Sequence, residues 1–246
     1  MYTFVIIRHG ESKWSDKFTG WTDIDTTEKG IAQTYTYGKK LKEEGFTFDL
    51  GFTSVLTRGI RTLWTVLDAM GLMWIDEIKD WQLNERHYGA LQGLNKAEVA
   101  EQYGEDQVKL WRRSYDVSPP KLTKDDPRYP GNDPRYKDLR PEQIPLGESL
   151  KDTAARTIPY WNDIIAPQIK LGRKIILSGH SNSLRSIIMH LDSLDQKQVL
   201  ELNIPYCIPL VYEFDESLHP LKHYYLESDA VVAAQIAAVK NQAKKK

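Results

Sequence analysis

An α/β fold with a mostly parallel sheet covered by helices on both faces is what this chain predicts, and three observations predict it. Short apolar runs alternate with helix-periodic segments along most of the 246 residues, the pattern of successive strand–helix units. The first run, Phe4-Val5-Ile6-Ile7, stops at Arg8-His9-Gly10-Glu11. Far downstream, Lys174-Ile175-Ile176-Leu177-Ser178 leads into Gly179-His180-Ser181-Asn182, and an apolar-periodic helix follows. Each run delivers a histidine beyond the carboxyl end of a buried strand, where α/β sheets bind ligands.

The elements follow in order. Asp25-Thr26-Thr27-Glu28 reads as an N-cap with a reciprocal glutamate, opening a helix that Gly45 ends. Residues 50–54 form a second strand. From Arg58 to Met70 the chain carries Ile60, Leu63, Trp64 and Leu67 at helical spacing, closed by Gly71. A third strand is expected over 74–78, and two short helices over 95–113 around Gly104. Residues 114–147 are rich in Pro, Asp and Arg without a sustained period. Long loops of this type are usually functional or disordered, so the segment is expected to be a lid or wall over the site, with a mobile surface loop as the alternative. Residues 148–171 read as helix, kinked or broken by Pro159 and Pro167. Two late strands are expected over 209–214 and 222–226, then an Ala-rich helix from Ser228 to Lys244-Lys245-Lys246. No repeat or linker divides the chain, so one domain over 1–246 is expected.

A 41% hydrophobic content can supply one sizeable core. Lys+Arg at 33 against Asp+Glu at 34 leaves a formal charge of −1, which gives no global field for nucleic acid or an anionic membrane. Any cationic site must be local. The single Cys207 excludes an intramolecular disulfide and fits a reducing compartment. No apolar run approaches the roughly 20 residues of a membrane span, and the start of the chain lacks the basic flank of a signal peptide. A soluble, cytosolic protein is expected.

Histidines at strand ends with arginines nearby suggest phosphoryl chemistry on histidine. Such transfer needs a nucleophile, positioning and charge neutralisation, and arginine forks match phosphate oxygens. The chain offers Arg8 beside His9, Arg58 at a helix start and Arg112-Arg113, with Asn84-Glu85-Arg86-His87-Tyr88-Gly89 and Lys96 between. A helix beginning after His180 would add backbone N–H donors. Each residue alone has a plainer role: a structural histidine, a solvated arginine face, a glutamate paired with a neighbour. Tyr35, Tyr37, Trp64 and Trp111 read as core or interface. Neither His9 nor His180 has a second metal ligand at usable spacing unless Glu11 is counted, so no metal is expected.

Taken together the set resembles the cofactor-dependent phosphoglycerate mutases of the histidine phosphatase superfamily. The resemblance runs almost end to end through Arg8-His9-Gly10-Glu11-Ser12, Phe18-Thr19-Gly20-Trp21, Thr53-Ser54-Val55-Leu56-Thr57-Arg58 and Leu83-Asn84-Glu85-Arg86-His87-Tyr88-Gly89. It continues through Leu91-Gln92-Gly93, Trp111-Arg112-Arg113-Ser114-Tyr115-Asp116, Glu148-Ser149-Leu150, His180-Ser181-Asn182-Ser183-Leu184-Arg185 and Asn203-Ile204-Pro205. It implies a single-domain three-layer sandwich whose six-stranded, mostly parallel sheet has one antiparallel strand. His9 would be the nucleophile, with Arg8, Arg58 and His180 around the transferred phosphoryl group and Glu85 as general acid/base. Ser15, Thr19, Gly20, Arg86, Tyr88, Lys96, Arg112, Arg113, Ser181 and Asn182 would bind substrate. The implied reaction interconverts 3-phosphoglycerate and 2-phosphoglycerate, primed by 2,3-bisphosphoglycerate without a metal, in a homodimer or homotetramer. For His9 to attack, one ring nitrogen must be free while the other donates to a carbonyl or similar acceptor. The tail from Ser228 on, with the 114–147 segment, would exclude water.

The chain also departs from that family. Ser15 stands where asparagine is usual, and the spacing from there to Thr19 is short. Ser181 replaces a glycine, where an added Cβ would crowd a close approach or a positive φ. Tyr206-Cys207 replaces a usual Thr-Gly. These changes bear on the balance among mutase, bisphosphoglycerate synthase and phosphatase activities. Thr19-Gly20 favours mutase, the short loop and Ser181 favour a phosphatase, and a non-catalytic interaction protein is the remaining alternative.

Overall fold

The computed structural model describes residues 1–241; Lys244, Lys245 and Lys246, expected to end the tail helix, lie outside the described residues. Among these the sheet has six strands: β1 (Tyr2–Arg8), β2 (Leu50–Thr53), β3 (Asp76–Lys79), β4 (Ile175–Gly179), β5 (Leu210–Phe214) and β6 (Pro220–Tyr225). Their order is β3-β2-β4-β1-β5-β6. Parallel pairing joins β3, β2, β4 and β1, whereas β5 runs antiparallel to both β1 and β6. The sheet therefore has the one antiparallel strand that the resemblance implied.

Side-chain parity explains why the strands are continuous apolar runs. Successive side chains point to opposite faces, so Phe4 and Ile6 join one core with Ile175 and Leu177, while Val5, Ile7 and Ile176 join the other. A sheet buried on both faces needs both parities apolar. Nine helices follow in chain order among the described residues. The first five are α1 (Glu28–Glu43), α2 (Thr57–Met70), α3 (Lys96–Tyr103), α4 (Glu105–Arg113) and α5 (Leu150–Tyr160). They continue with α6 (Ala166–Lys170), α7 (Ser181–Leu191), α8 (Gln196–Glu201) and α9 (Asp229–Asn241). Helix α1 contributes Leu41, and α2 contributes Leu63, Val66 and Leu67, to one core. Tyr160 of α5, Ile169 of α6 and Leu184, Ile187 and Ile188 of α7 fill the other. A smaller cluster of Phe18, Leu91, Val99, Val108 and Trp111 seats α3 and α4.

Several local expectations shift. The N-cap of α1 is Thr27, whose hydroxyl accepts from the Gly30 amide at 3.0 Å, and not Asp25. Arg61 takes both Asp25 carboxylate oxygens at 2.7 and 2.9 Å, a stronger charge-assisted partnership than a backbone amide. Strand β3 begins two residues later than expected because Trp74 is solvent-exposed and outside the ladder. Trp64, on the expected apolar stripe, is instead 42% exposed and donates to Glu77 Oε2 at 2.9 Å. The break expected near the two prolines is a π-turn over Trp161–Ile165, between α5 and α6.

The segment 114–147 contains three short 3₁₀ turns and packs against neighbouring loops. Ala90 N–H donates to Pro120 O at 2.8 Å, Arg128 Nη1 to Gln92 O at 2.6 Å, and Asn84 Nδ2 to Tyr136 Oη at 2.9 Å. Helix α9 lays Val232 and Ile236 on a cluster with Tyr37, Cys207 and Ile208. No helix among the described residues is long and apolar enough to cross a membrane.

Candidate active site

Parallel pairing puts the carboxyl ends of β1, β4 and β2 side by side, with Arg8 in register with Gly179 and Thr53 with Ser178. His9 and His180 emerge together there, their ring centroids 5.1 Å apart. The His9 amide donates to Gly179 O at 3.0 Å, locking the two loops. His9 Nδ1 lies 2.7 Å from Gly10 O. A carbonyl can only accept, so Nδ1 carries the proton and Nε2 keeps its lone pair. Burial, then the charges of Arg58 and Arg8, hold the His9 pKa well below the ordinary histidine value. His9 is therefore a neutral imidazole at pH 7. His180 is depressed likewise, by burial first and then Arg58. Its Nε2 meets Ser54 Oγ at 2.7 Å, while its buried Nδ1 has no protein partner.

Arg58 reaches the site from the first turn of α2, fully buried. Its Nη2 and Nη1 donate to Gly20 O at 2.7 Å and Thr22 O at 3.1 Å, fixing the loop after Thr19. Asp23 returns from that loop to cap α2, accepting from the Thr57 amide and hydroxyl at 2.7 Å each. Close approach of α2 requires Gly59: a Cβ there would stand 2.9 Å from Thr53 Oγ1 and 3.3 Å from His180 Nε2. Gly20 has φ +53°, and a Cβ would collide with Gln92 Oε1.

Opposite the histidines stands Glu85. Its Oε1 accepts from the Arg86 amide at 2.7 Å and from the Asn182 amide at 3.0 Å. The N-terminal donors of α7 thus aim partly at a carboxylate of the chain itself. Asn182 Nδ2 and Arg86 Nη2 both donate to Tyr88 Oη at 3.3 Å. Burial works to raise the Tyr88 phenol, but Arg86 and its hydrogen bond outweigh it and the pKa is lowered. His180 does not itself line the cavity that the other groups share, and neither does Arg86. Arg86 is buried behind, donating to Arg112 O at 2.7 Å, with Nε and Nη1 left without protein partners. The loop carrying Glu85 is held by Arg156, which binds Glu148 at 2.8 and 3.0 Å, Gln82 O at 2.6 Å and Glu85 O at 3.0 Å.

The cavity encloses about 90 Å³. Among the described residues its walls carry seven cations (Arg8, Lys17, Arg58, Lys96, Arg112, Arg113 and Arg185) against a single carboxylate, Glu85. Ser15, Thr19, Gly20, Tyr88, Ser181 and Asn182 also line it, together with Val239 of α9. No residue of 114–147 does; that segment braces the wall from outside. Lys96 donates to Ser15 O at 2.6 Å, and burial, then Arg112 and Arg8, lowers its pKa to about 7. Ser181 opens α7 without a positive φ, so its added Cβ meets no backbone strain there. The positive φ lies at Cys207, +62°. Among the described residues, the buried Nε atoms of the cavity-lining Arg8 and Arg185 lack protein partners, which is unusual for buried polar groups and fits a site for an anion.

The sequence assigns no role to Arg185 or Arg156 and marks Tyr206 as a departure from the family pattern without placing it in the site. Arg185, four residues after Ser181 on α7, reaches the cavity and donates to Asn182 Oδ1 at 2.9 Å. Helical i, i+4 spacing from a known site residue was the available signal. Nothing local marked Arg156, whose partners are scattered along the chain.

The family model for the histidine phosphatase superfamily (branch 1) matches residues 4–226. Among solved structures, the mycobacterial glucosyl-3-phosphoglycerate phosphatase superposes with a TM-score of 0.65 at 19% identity, covering 91% of this chain and 96% of that one. A putative alpha-ribazole-5'-P phosphatase from Escherichia coli gives 0.66 at 17% identity, covering 92% and 96%. YhfR from Bacillus stearothermophilus gives 0.65 at 21%, covering 87% and 91%. At these identities the likeness is one of fold.

Proposed function

This chain belongs to the histidine phosphatase superfamily (branch 1), and from that premise we propose that it moves phosphoryl groups through phosphohistidine at His9, interconverting 3-phosphoglycerate and 2-phosphoglycerate. The observation that carries the reading is a neutral His9 with a free Nε2 in a cavity whose described walls carry one carboxylate among seven cations. The cavity of about 90 Å³ is small beside the roughly 300–1,000 Å³ of typical ligand pockets. It suits an anion of a few carbons.

The Nε2 lone pair attacks phosphorus; the Nε2–P bond forms as the P–O bond to the leaving oxygen breaks. Glu85, protonated at that moment, gives its proton to the leaving oxygen. In the return step Glu85 takes the proton of an acceptor hydroxyl, whose oxygen attacks phosphorus. The Nε2–P bond then breaks and its electron pair returns to the ring. General acid/base help of this kind is worth about 10²–10⁴ in rate. Arg8 and Arg58 would neutralise the equatorial charge, and the neutral His180 would add a hydrogen bond. The cations lining the cavity suit a bisphosphorylated anion, which Arg8, Arg58, Lys96, Arg112, Arg113 and Arg185 would hold. 2,3-Bisphosphoglycerate would supply the phosphoryl group that primes His9.

Hydrolysis is the second reading, and the comparisons favour it over isomerisation, since relatives of this fold are described as phosphatases. Water would then replace the acceptor hydroxyl at Glu85. Against it stand the small cavity and Val239 of α9 at its wall, which favour exclusion of water. The deciding experiment supplies 3-phosphoglycerate with and without catalytic 2,3-bisphosphoglycerate and follows 2-phosphoglycerate and free phosphate. Primer-stimulated 2-phosphoglycerate with little phosphate is expected; phosphate without isomerisation would overturn the mutase reading in favour of hydrolysis.

A further inference from the structure

Tyr206 occupies a place that the proposed reaction leaves without a role. The chain from Ile204 to Cys207 is tied to the nucleophile strand at two points: Arg8 Nη1 donates to Ile204 O at 2.7 Å, and the Cys207 amide to Arg8 O at 3.0 Å. Between them the backbone turns through the positive φ of Cys207. The Cys207 thiol is tucked inward, fully buried, 3.3 Å from Thr34 Oγ1. This turn presents Tyr206 to the cavity. Its ring lies 3.8 Å from the Arg8 guanidinium carbon and its centroid 5.6 Å from that of His9.

We propose that Tyr206 is the specificity-determining wall of this site, limiting substrates to small phosphomonoesters by filling the space beside His9. This rests on the phosphohistidine reading above. Two effects act together. The ring stacks on Arg8, fixing a guanidinium that among the described residues has one hydrogen bond to the protein and a buried Nε without a partner. The ring also takes up volume. A benzene-sized ring takes up room on the order of 150 Å³, and here that room lies beside the His9 ring at the cavity wall. Truncating Tyr206 would therefore widen the cavity beside the His9 ring, and a planar aromatic ester would then fit.

The test compares kcat/KM for 3-phosphoglycerate and for p-nitrophenyl phosphate in the full chain and in Tyr206→Phe, Tyr206→Leu and Tyr206→Thr. Acid-labile phosphate on His9 is measured in each. The ratio favouring the aromatic ester should hold in Tyr206→Phe and rise progressively to about tenfold or more in Tyr206→Thr. A ratio that stays constant through the series, with His9 still phosphorylated, would overturn the role of Tyr206. Absence of phosphohistidine in the unsubstituted chain would instead overturn the functional reading. Tyr206→Leu keeps the test decisive should Tyr206→Thr fail to fold.

Discussion

Replacing Arg156 by methionine should be strongly destabilising although the residue does not line the cavity. The guanidinium spends both edges on the interior: Nε and Nη2 on Glu148 at 2.8 and 3.0 Å, Nη1 on Gln82 O at 2.6 Å. The two side chains are 8% and 6% exposed, so solvent screening does not discount the pair. Glu148 Oε2 also accepts the His87 amide at 2.8 Å. Arg156→Met leaves that carboxylate buried without a counter-charge, a loss of about 3–5 kcal/mol. Domains have about 5–15 kcal/mol in total, and each kcal/mol moves Tm by about 2–4 °C at this chain length, so a fall of about 6–20 °C is expected. Urea unfolding with a constant m-value is the assay. Adding Glu148→Gln removes the stranded charge, keeps an acceptor for the His87 amide and should restore at least half of the loss. The carbonyl of Glu85 keeps its bond from Trp21 Nε1 at 2.6 Å, so the loop loosens without unfolding. Catalytic turnover should drop about 10–100-fold through misplacement of Glu85. A cost under about 1 kcal/mol for Arg156→Met, or a double variant as unstable as the sum of the singles, would refute this reasoning.

Other outcomes follow from the same geometry. His9, His87 and His180 are all held below the ordinary histidine value by burial first, His87 at about 3. Stability from burying them neutral is complete above about pH 6.5 and is lost as pH falls, because only the unfolded chain then gains protons. Near pH 5.5 the slope should approach about 4 kcal/mol per pH unit, one proton from each of the three; urea midpoints unchanged between pH 6.5 and 5 would contradict it. Lys96, at about 7 in the free site, must take up a proton to hold an anion above neutrality. Affinity for 3-phosphoglycerate should thus fall from pH 7 to 9, and calorimetry in buffers of different ionisation heat should detect the uptake; Lys96→Gln should abolish both. Removal of residues 228–246 takes Val239 from the cavity wall and should raise phosphate release relative to isomerisation. An unchanged product ratio would exclude the tail from water exclusion.

Much of this site was legible because strand ends announce themselves. Apolar runs that stop at Arg8-His9 and Gly179-His180 localise two histidines without any tertiary knowledge, and parallel pairing then makes them neighbours. What stayed hidden depends on distance along the chain. Arg156 finds Glu148 nearby, but also Gln82 and Glu85 more than 70 positions away. Competition misled the helix start: Asp25 has the chemistry of a cap, yet Arg61 claims it and Thr27 caps instead. Motif proximity misled in another way at Arg86, which shares the Glu85 loop but turns behind the wall. The proline-rich segment reads as a cover from its composition, whereas its contacts brace the loops beneath the cavity.

If phosphoryl groups pass through His9, a labelling experiment will show them there. The protein is incubated with ³²P-labelled 2,3-bisphosphoglycerate, quenched in alkali, and the label mapped by peptide. Acid-labile, alkali-stable label on the peptide containing His9 is expected, lost in His9→Ala and discharged by a chase of unlabelled 3-phosphoglycerate. Label elsewhere, or none on a folded protein, would contradict the account.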